Sequence, residues 1–210
     1  MQTLRECKTD LSVIIPVYNL EGYIQPMLDS LMRQDLNGYE VEFLFVMNNC
    51  TDRSEEIIRE SGLPCTILQC TRQGCGSARN VAMDAARGEF IWFMDGDDWL
   101  LSDTAVRDVL DKAYSEGLDI LWIPFASDNY KYQYFSMVWQ YLFRRSFIDQ
   151  FRFPDIQPAE DDQFMTLVLY KARRNSYNYM FLPRMDRPLY FYNYMREGSN
   201  MYRYTRGEKI

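Results

Sequence analysis

GEFIWFMDGDDWL, residues 88 to 100, is the stretch that decides the fold. Phe90 to Met94 are apolar without interruption, which suits a strand buried on both faces, since a one-sided strand alternates apolar with polar. The strand then runs into Asp95, Asp97 and Asp98. Three carboxylates this close repel one another unless positive charge sits between them. A hard divalent cation carrying a diphosphate satisfies that demand, because Mg²⁺ and Mn²⁺ take oxygen ligands and keep positions open for phosphate. A solvated acidic loop that caps the next helix satisfies it as well. The neighbouring segments have to decide between the two.

Working outward, three further strand-and-helix units precede this one. Leu11 to Tyr18 (LSVIIPVY) is a second buried-strand run, with Pro16 near its carboxyl end, where a missing N–H is tolerable. Ile24, Met27, Leu28 and Leu31 then make one helical stripe that Asn37-Gly38 ends. Tyr39 to Met47 is a strand that enters at the surface and ends in the core, followed by Asn48, Asn49, Cys50, Thr51 and Asp52. Asp52 and Glu55 have the spacing of a capping box for a helix carrying Ile57 and Ile58. Cys65 to Cys70 is a further strand, and Gly74 and Gly76 just ahead of a helix offer amides to an anion. That helix carries the stripe Ala78, Val81, Ala82 and Ala85, and Gly88 is expected to end it. After the acidic stretch, Ser102 is expected to cap a helix with Val106, Val109, Leu110 and Ala113 inward.

Alternating strands and helices with short connections predict an α/β fold with a mostly parallel, doubly wound sheet and helices on both faces. Ligands of such sheets bind outside the carboxyl ends of the strands, where Pro16 to Glu21, Asn48 to Asp52 and Asp95 to Asp98 all fall. Beyond Gly117 the pattern loosens. Asp119 to Phe125 predicts one more strand, and Tyr130, Tyr132, Tyr134, Phe135, Trp139, Tyr141, Phe143 and Phe147 are expected chiefly in the core. Pro154 to Pro158 marks a loop that delivers Glu160-Asp161-Asp162 to the mouth of a helix with Phe164, Leu167 and Val168 inward. Its bland reading is a helix start that favours carboxylates. Residues 1 to 9 read as a loose lead-in, and Arg196, Arg203, Arg206 and Lys209 as a basic tail.

Composition bounds what such a domain does. With 210 residues and 47% hydrophobic content, one sizeable domain fits. A net charge of -7 argues against gripping a nucleic-acid backbone. Five cysteines without metal-finger spacing, and no signal-peptide pattern, lead us to expect reduced thiols and a cytoplasmic protein. No apolar run approaches the ~20 residues of a membrane span, so any membrane contact is expected to be peripheral, at the inner face. The chain has no histidine, which leaves acid and base chemistry to carboxylates, Tyr, Lys or Cys.

Taken in order, VIIPVYN (13 to 19), NNCTDRS (48 to 54), GSARN (76 to 80), GEFIWFMDGDDW (88 to 99), EDDQF (160 to 164) and YNYMREGS (192 to 199) resemble glycosyltransferase family 2. The resemblance covers most of the chain. It implies a Rossmann-like GT-A domain over 1 to 210, with a nucleotide-sugar-binding half at 10 to 100 and a smaller acceptor-side half at 118 to 200. It implies a nucleotide-diphosphate sugar as donor, UDP-sugars first, and a saccharide or lipid-linked acceptor in cell-surface polysaccharide or glycolipid synthesis. Pro16, Tyr18, Asn19, Glu21 and Asn48 would line the nucleotide pocket, and Arg79 would approach the base or phosphates. Asp95, Gly96 and Asp97 would form the DxD motif, with Asp97 the direct ligand of Mn²⁺ or Mg²⁺ and Asp95 supporting it. Asp161 falls where the family places its catalytic base.

The family often has an acidic residue that reads the uracil edge at the end of the strand closing here in Met47 and Asn48. Neither is acidic, so the sequence does not fix the base. The QxxRW motif of processive synthases is absent, so single addition is expected. The mechanism implied is inverting, with Asp161 taking the acceptor's proton and Glu160 helping to raise its basicity. Two rivals stand beside it: a nucleotide-sugar-binding module without turnover, and a sugar-phosphate nucleotidyltransferase. The second normally wants a lysine in its first loop, and Pro16 to Gly22 has none.

Overall fold

The apolar runs form a sheet whose central strands are buried on both faces and of whose edge strands one, Thr66–Cys70, is partly exposed. In the computed structural model, which describes residues 9–127, 137–156, 159–174, 182–193, 196–197 and 206, Leu11–Val17 (β1), Val41–Asn48 (β2), Thr66–Cys70 (β3) and Phe90–Phe93 (β4) lie parallel in the order β3-β2-β1-β4. Helices Gln25–Met32 (α1), Ser54–Glu60 (α2) and Cys75–Ala85 (α3) connect them. Winding from β1 outward to β3 and then back across to β4 creates a topological switch between β1 and β4, where α/β sheets hold their ligands.

Residues alternate between the two faces. Leu11, Val13, Ile15 and Val17 of β1 meet Met27 and Leu28 of α1, Ile58 of α2 and Val106, Val109 and Leu110 of Ala105–Ser115 (α4) on one side. Ile14 joins Ala78 and Ala82 of α3 with Phe164 and Val168 of Glu160–Arg174 (α6) on the other. The stripes expected on α1 and α4 are buried as expected.

Several elements differ from expectation, each for a physical reason. Asp119 to Phe125 is not one strand. Ile120–Trp122 (β6) belongs to the large sheet and Phe125–Ala126 (β7) to a small one, and Ile123 and Pro124 turn the chain between them. The large sheet gains Tyr141–Arg144 (β8), antiparallel between β4 and β6, preceded by a 3-10 turn at Val138–Gln140 and followed by Arg145–Ile148 (α5). The small sheet joins Trp99–Leu100 (β5) to Tyr190–Phe191 (β9) and β7. On α6, Leu167 is 49% exposed, and Met165 and Ala172 fill the core beside Phe164 and Val168. On α3, Ala85 is exposed and Val81 half-buried, whereas Arg79 and Met83 lie on the buried face with Ala78 and Ala82.

The capping box does not form. Both Asp52 oxygens are used elsewhere, Oδ1 by the Ser54 amide and hydroxyl and Oδ2 by the Glu21 amide, and Glu55 pairs with Arg59. At α4 the residue before the helix is Thr104, whose own amide donates to Ser102 Oγ. Gly88 does not end α3, which stops at Ala85 with Ala86 already extended; its place is set by β1 instead. A Cβ there would sit 2.4 Å from the Ser12 nitrogen and 2.6 Å from the Leu11 carbonyl carbon, so β1 approaches too closely for any side chain.

Trp139, Tyr141, Phe143 and Phe147 are core, as expected, with Trp139 stacked on Tyr190 at 4.8 Å. Residues 1 to 8, Tyr130, Tyr132, Tyr134, Phe135, Pro158, Tyr194, Met195, Gly198, Ser199, Arg203 and Lys209 lie outside the described residues. Cys50, Cys65, Cys70 and Cys75 are free thiols. Among the described residues no helix is long and apolar enough to cross a membrane.

Candidate active site

Two loops close over the carboxyl end of β1 and β2. Asn19, in a left-handed conformation with φ 49°, accepts the Thr51 amide at 2.8 Å, and Glu21 accepts the Arg53 amide at 3.0 Å. Leu20 donates its amide to Ser54 Oγ at 2.7 Å. These bonds fix the loop on which Tyr18 stands half-exposed, with its ring free to meet a planar ligand. Pro16 is buried in β1 opposite Val46. Gly96 packs over the same strand end, where a Cβ would lie 2.7 Å from Leu20 Cδ1 and 3.4 Å from the Pro16 carbonyl oxygen.

Asn48 closes β2 and bonds to the turn before α3. It is buried, its amide nitrogen donates to the carbonyls of Arg72 at 2.7 Å and Cys70 at 3.3 Å, and its oxygen accepts the Gly74 amide at 2.8 Å. The side chain therefore fastens the turn before α3. The same bond consumes the Gly74 amide that the sequence offered to an anion. Met47 is buried in the core.

The carboxylates converge on one guanidinium. Arg79 is 3% exposed, and its Nη2 stands 2.8 Å from Asp95 Oδ1 while Nη1 stands 2.6 Å from Asp161 Oδ1 and 3.7 Å from Glu160 Oε1. Asp161, 82 positions further along the chain, is thereby brought beside the end of β4. Its second oxygen accepts the Val138 amide at 3.3 Å, and the side chain keeps 18% of its exposure. Burial pushes the Asp161 carboxyl up to about 7; Arg79 opposes the shift, while Glu160 and Asp95 reinforce it. Burial would pull the Arg79 guanidinium down, but Asp161 and then Asp95 hold it above its ordinary value.

The rest of the acidic turn is tied to β9 and the residues that follow it. Asp98 accepts the Tyr190 hydroxyl at 2.6 Å and the Asn193 amide at 2.8 Å, and the Asp95 amide donates to the Tyr190 oxygen at 3.0 Å. Asp97 is paired with Arg196, whose guanidinium lies over the Tyr23 ring. Arg196 is therefore not a tail charge. Its place in the YNYMREGS segment was the available signal. Burial raises Asp97 despite Arg196, and burial followed by the charges of Asp97 and Asp95 raises Asp98 well above the usual carboxylate range.

Four carboxylates, Asp95, Asp97, Glu160 and Asp161, thus share two guanidinium groups, Arg79 and Arg196, with Asp98 held beside them by Tyr190 and Asn193. That excess of negative oxygen suits a divalent cation. Among the described residues no three metal-ligating side chains are set around one point. Such a donor set matches a cation shared between one or two carboxylates and substrate phosphates, as Mg²⁺ is commonly held, and does not match a closed protein cage.

Comparison with known proteins gives the family and the fold. The Glycosyl transferase family 2 profile matches residues 12–176. The Bacillus subtilis (strain 168) protein described as "Uncharacterized glycosyltransferase EpsJ" is 30% identical over 225 residues, 90% of this chain and 62% of that protein. The structure of S. aureus TarS 1-349 in complex with UDP-GlcNAc superposes with a TM-score of 0.79 at 26% identity, over 92% of this chain and 60% of that one. The mannosyltransferase PcManGT from Pyrobaculum calidifontis, in complex with GDP-Man and Mn²⁺, shares the fold with a TM-score of 0.70 at 18% identity, over 95% of this chain and 61% of that one. The chain spans about three-fifths of the length of these relatives.

Proposed function

Because the chain belongs to glycosyl transferase family 2 and has a GT-A fold, we propose that it moves a sugar from a nucleotide-diphosphate donor to an acceptor hydroxyl with inversion, one residue per encounter. The observation that carries the reading is the meeting of Asp95 and Asp161 on Arg79 at the switch between β1 and β4. A donor-side acid and an acceptor-side base must face one another across a single site, and these two carboxylates are held by one side chain.

Tyr18 and the loop carrying Asn19 and Glu21 border the place for the nucleotide, with Pro16 and Gly96 forming its floor. Residues 10 to 100 supply the donor side, and residues 118 to 200 the acceptor side. Asp97, with Asp95 supporting, would hold Mn²⁺ or Mg²⁺, which neutralises the charge that develops on the departing diphosphate. Asp161 takes the proton from the attacking hydroxyl. Its raised affinity for protons makes it a far better base than an aspartate in water, and it still ionises near neutrality.

UDP-sugars are the first donors to try, since TarS is known with UDP-GlcNAc. A saccharide or lipid-linked acceptor in cell-surface polysaccharide or glycolipid synthesis fits the poly(ribitol-phosphate) substrate in the name of that relative, which is 38% identical over 97 residues. Titration with a panel of nucleotide sugars in the presence of Mn²⁺, followed by assays of hydrolysis and transfer, tests the proposal. Transfer with inverted anomeric configuration, read by NMR, supports it. Donor binding without turnover on any acceptor replaces it with a binding module, and release of pyrophosphate from a nucleoside triphosphate and a sugar phosphate replaces it with nucleotidyl transfer.

A further inference from the structure

The resemblance assigns Arg79 to the nucleotide or its phosphates, but every described polar contact of its side chain is with a carboxylate. The guanidinium is buried, and its carbon lies 5.4 Å from the centre of the Phe153 ring. Nε is buried without a partner. An arginine placed only to satisfy its own donors would not leave one stranded. The orientation is set by the two acids at the fork.

The surroundings hold that fork still. Ala78, Ala82 and Met83 anchor α3 in the core. A Cβ on Gly76 would stand 3.0 Å from Phe153 Cβ and 3.2 Å from Glu160 Cβ, so the start of α3 lies directly against the start of α6. Asn80 adds a two-way clasp to the Phe153 backbone at 2.9 Å in each direction.

We propose that Arg79 is a positioning residue: its planar fork sets the distance and orientation of Asp161 relative to Asp95, and so aligns the base with the donor-binding acid. This rests on the reading of Asp161 as the base. A lysine can approach one of the carboxylates as a point charge but cannot hold both in a fixed plane.

The test compares Arg79→Lys and Arg79→Gln with the parent for kcat, donor KM, donor affinity by calorimetry and the pH profile of transfer. Arg79→Lys, which keeps the charge and so protects the fold, lowers kcat by about a hundredfold, the usual cost of misplacing a reacting group by about an ångström. Its donor KM and calorimetric affinity stay within about twofold of the parent. In Arg79→Gln, with the opposing charge gone, the acid limb of the profile moves to higher pH. A loss confined to donor KM and affinity, with kcat kept, would make Arg79 a donor ligand and overturn the proposal. So would parental kcat in Arg79→Lys, or an unmoved acid limb in a folded Arg79→Gln. A parent that binds donors and transfers to no acceptor overturns the base reading itself, a result distinct from a KM effect in an active parent.

Discussion

Arg79 Nη1 stands 2.6 Å from Asp161 Oδ1 while its Nη2 holds Asp95 at 2.8 Å. Two acids that lie 66 positions apart, at the end of β4 and at the start of α6, are thus joined by a residue of α3. The strands and helices of the sheet serve chiefly to make that meeting possible.

The first consequence concerns pH. Asp161 acts as a base only when ionised, and burial places its midpoint at about 7, well above an aspartate in water. Transfer therefore falls about tenfold per pH unit below 7 and levels off above it. Glu160, whose charge adds to the upward shift, sets part of that midpoint, so Glu160→Gln moves the acid limb downward. The pH profile of kcat/KM for parent and variant checks both. A limb near pH 4 in the parent would contradict the assignment.

Asp97 is already paired with Arg196. A cation arriving there has to displace the guanidinium, and Arg196→Gln removes the competitor. Mn²⁺ titrated without donor should bind that variant about tenfold more tightly than the parent, a difference of about 1.4 kcal/mol. Calorimetry or the Mn²⁺ paramagnetic resonance signal reads it. Equal or weaker binding would place the cation elsewhere.

Gly88 tests the packing that positions the acidic turn. All three nearest atoms to a Cβ built there, the Ser12 nitrogen, the Leu11 carbon and the Phe90 oxygen, are backbone and closer than 3.0 Å. None can move without parting β1 from β4. Gly88→Ala should cost about 3 kcal/mol or more in denaturant unfolding. A loss below about 1 kcal/mol would mean that the strands yield easily.

Asn48 separates fastening from nucleotide reading. Asn48→Ala removes the side-chain partner of the Gly74 amide and one donor each from the Cys70 and Arg72 carbonyls, which should cost about 2 kcal/mol. The ratio of affinities for uridine and guanosine diphosphates should stay where it was. A changed ratio, measured by calorimetry, would return Asn48 to the base.

How much of this was legible beforehand depends on the range of the interaction. The strands at Leu11, Val41 and Phe90 announce themselves because burial on both faces leaves apolar runs broken only near their starts, and α1 and α4 because one buried face leaves a clean stripe. The stripe on α3 was misplaced by one position, since a buried arginine does not look like a core residue until its three acids are seen. β8 was hidden among the aromatics because an antiparallel insertion between β4 and β6 is a matter of pairing over some fifty residues, which periodicity does not encode. Asp161 and Glu160 stand out only through the family pattern, since helix capping explains them locally. Tyr190, Asn193 and Arg196 act on carboxylates more than 90 positions away; the YNYMREGS motif holds Asn193 and Arg196 but does not name their partners.

Asp161→Asn is the most direct test. The substitution keeps shape and a partner for Arg79 but removes the base, so single-turnover transfer should fall by about a hundredfold to ten-thousandfold while calorimetry with donor and Mn²⁺ gives the parental affinity. Transfer at the parental rate would contradict the account.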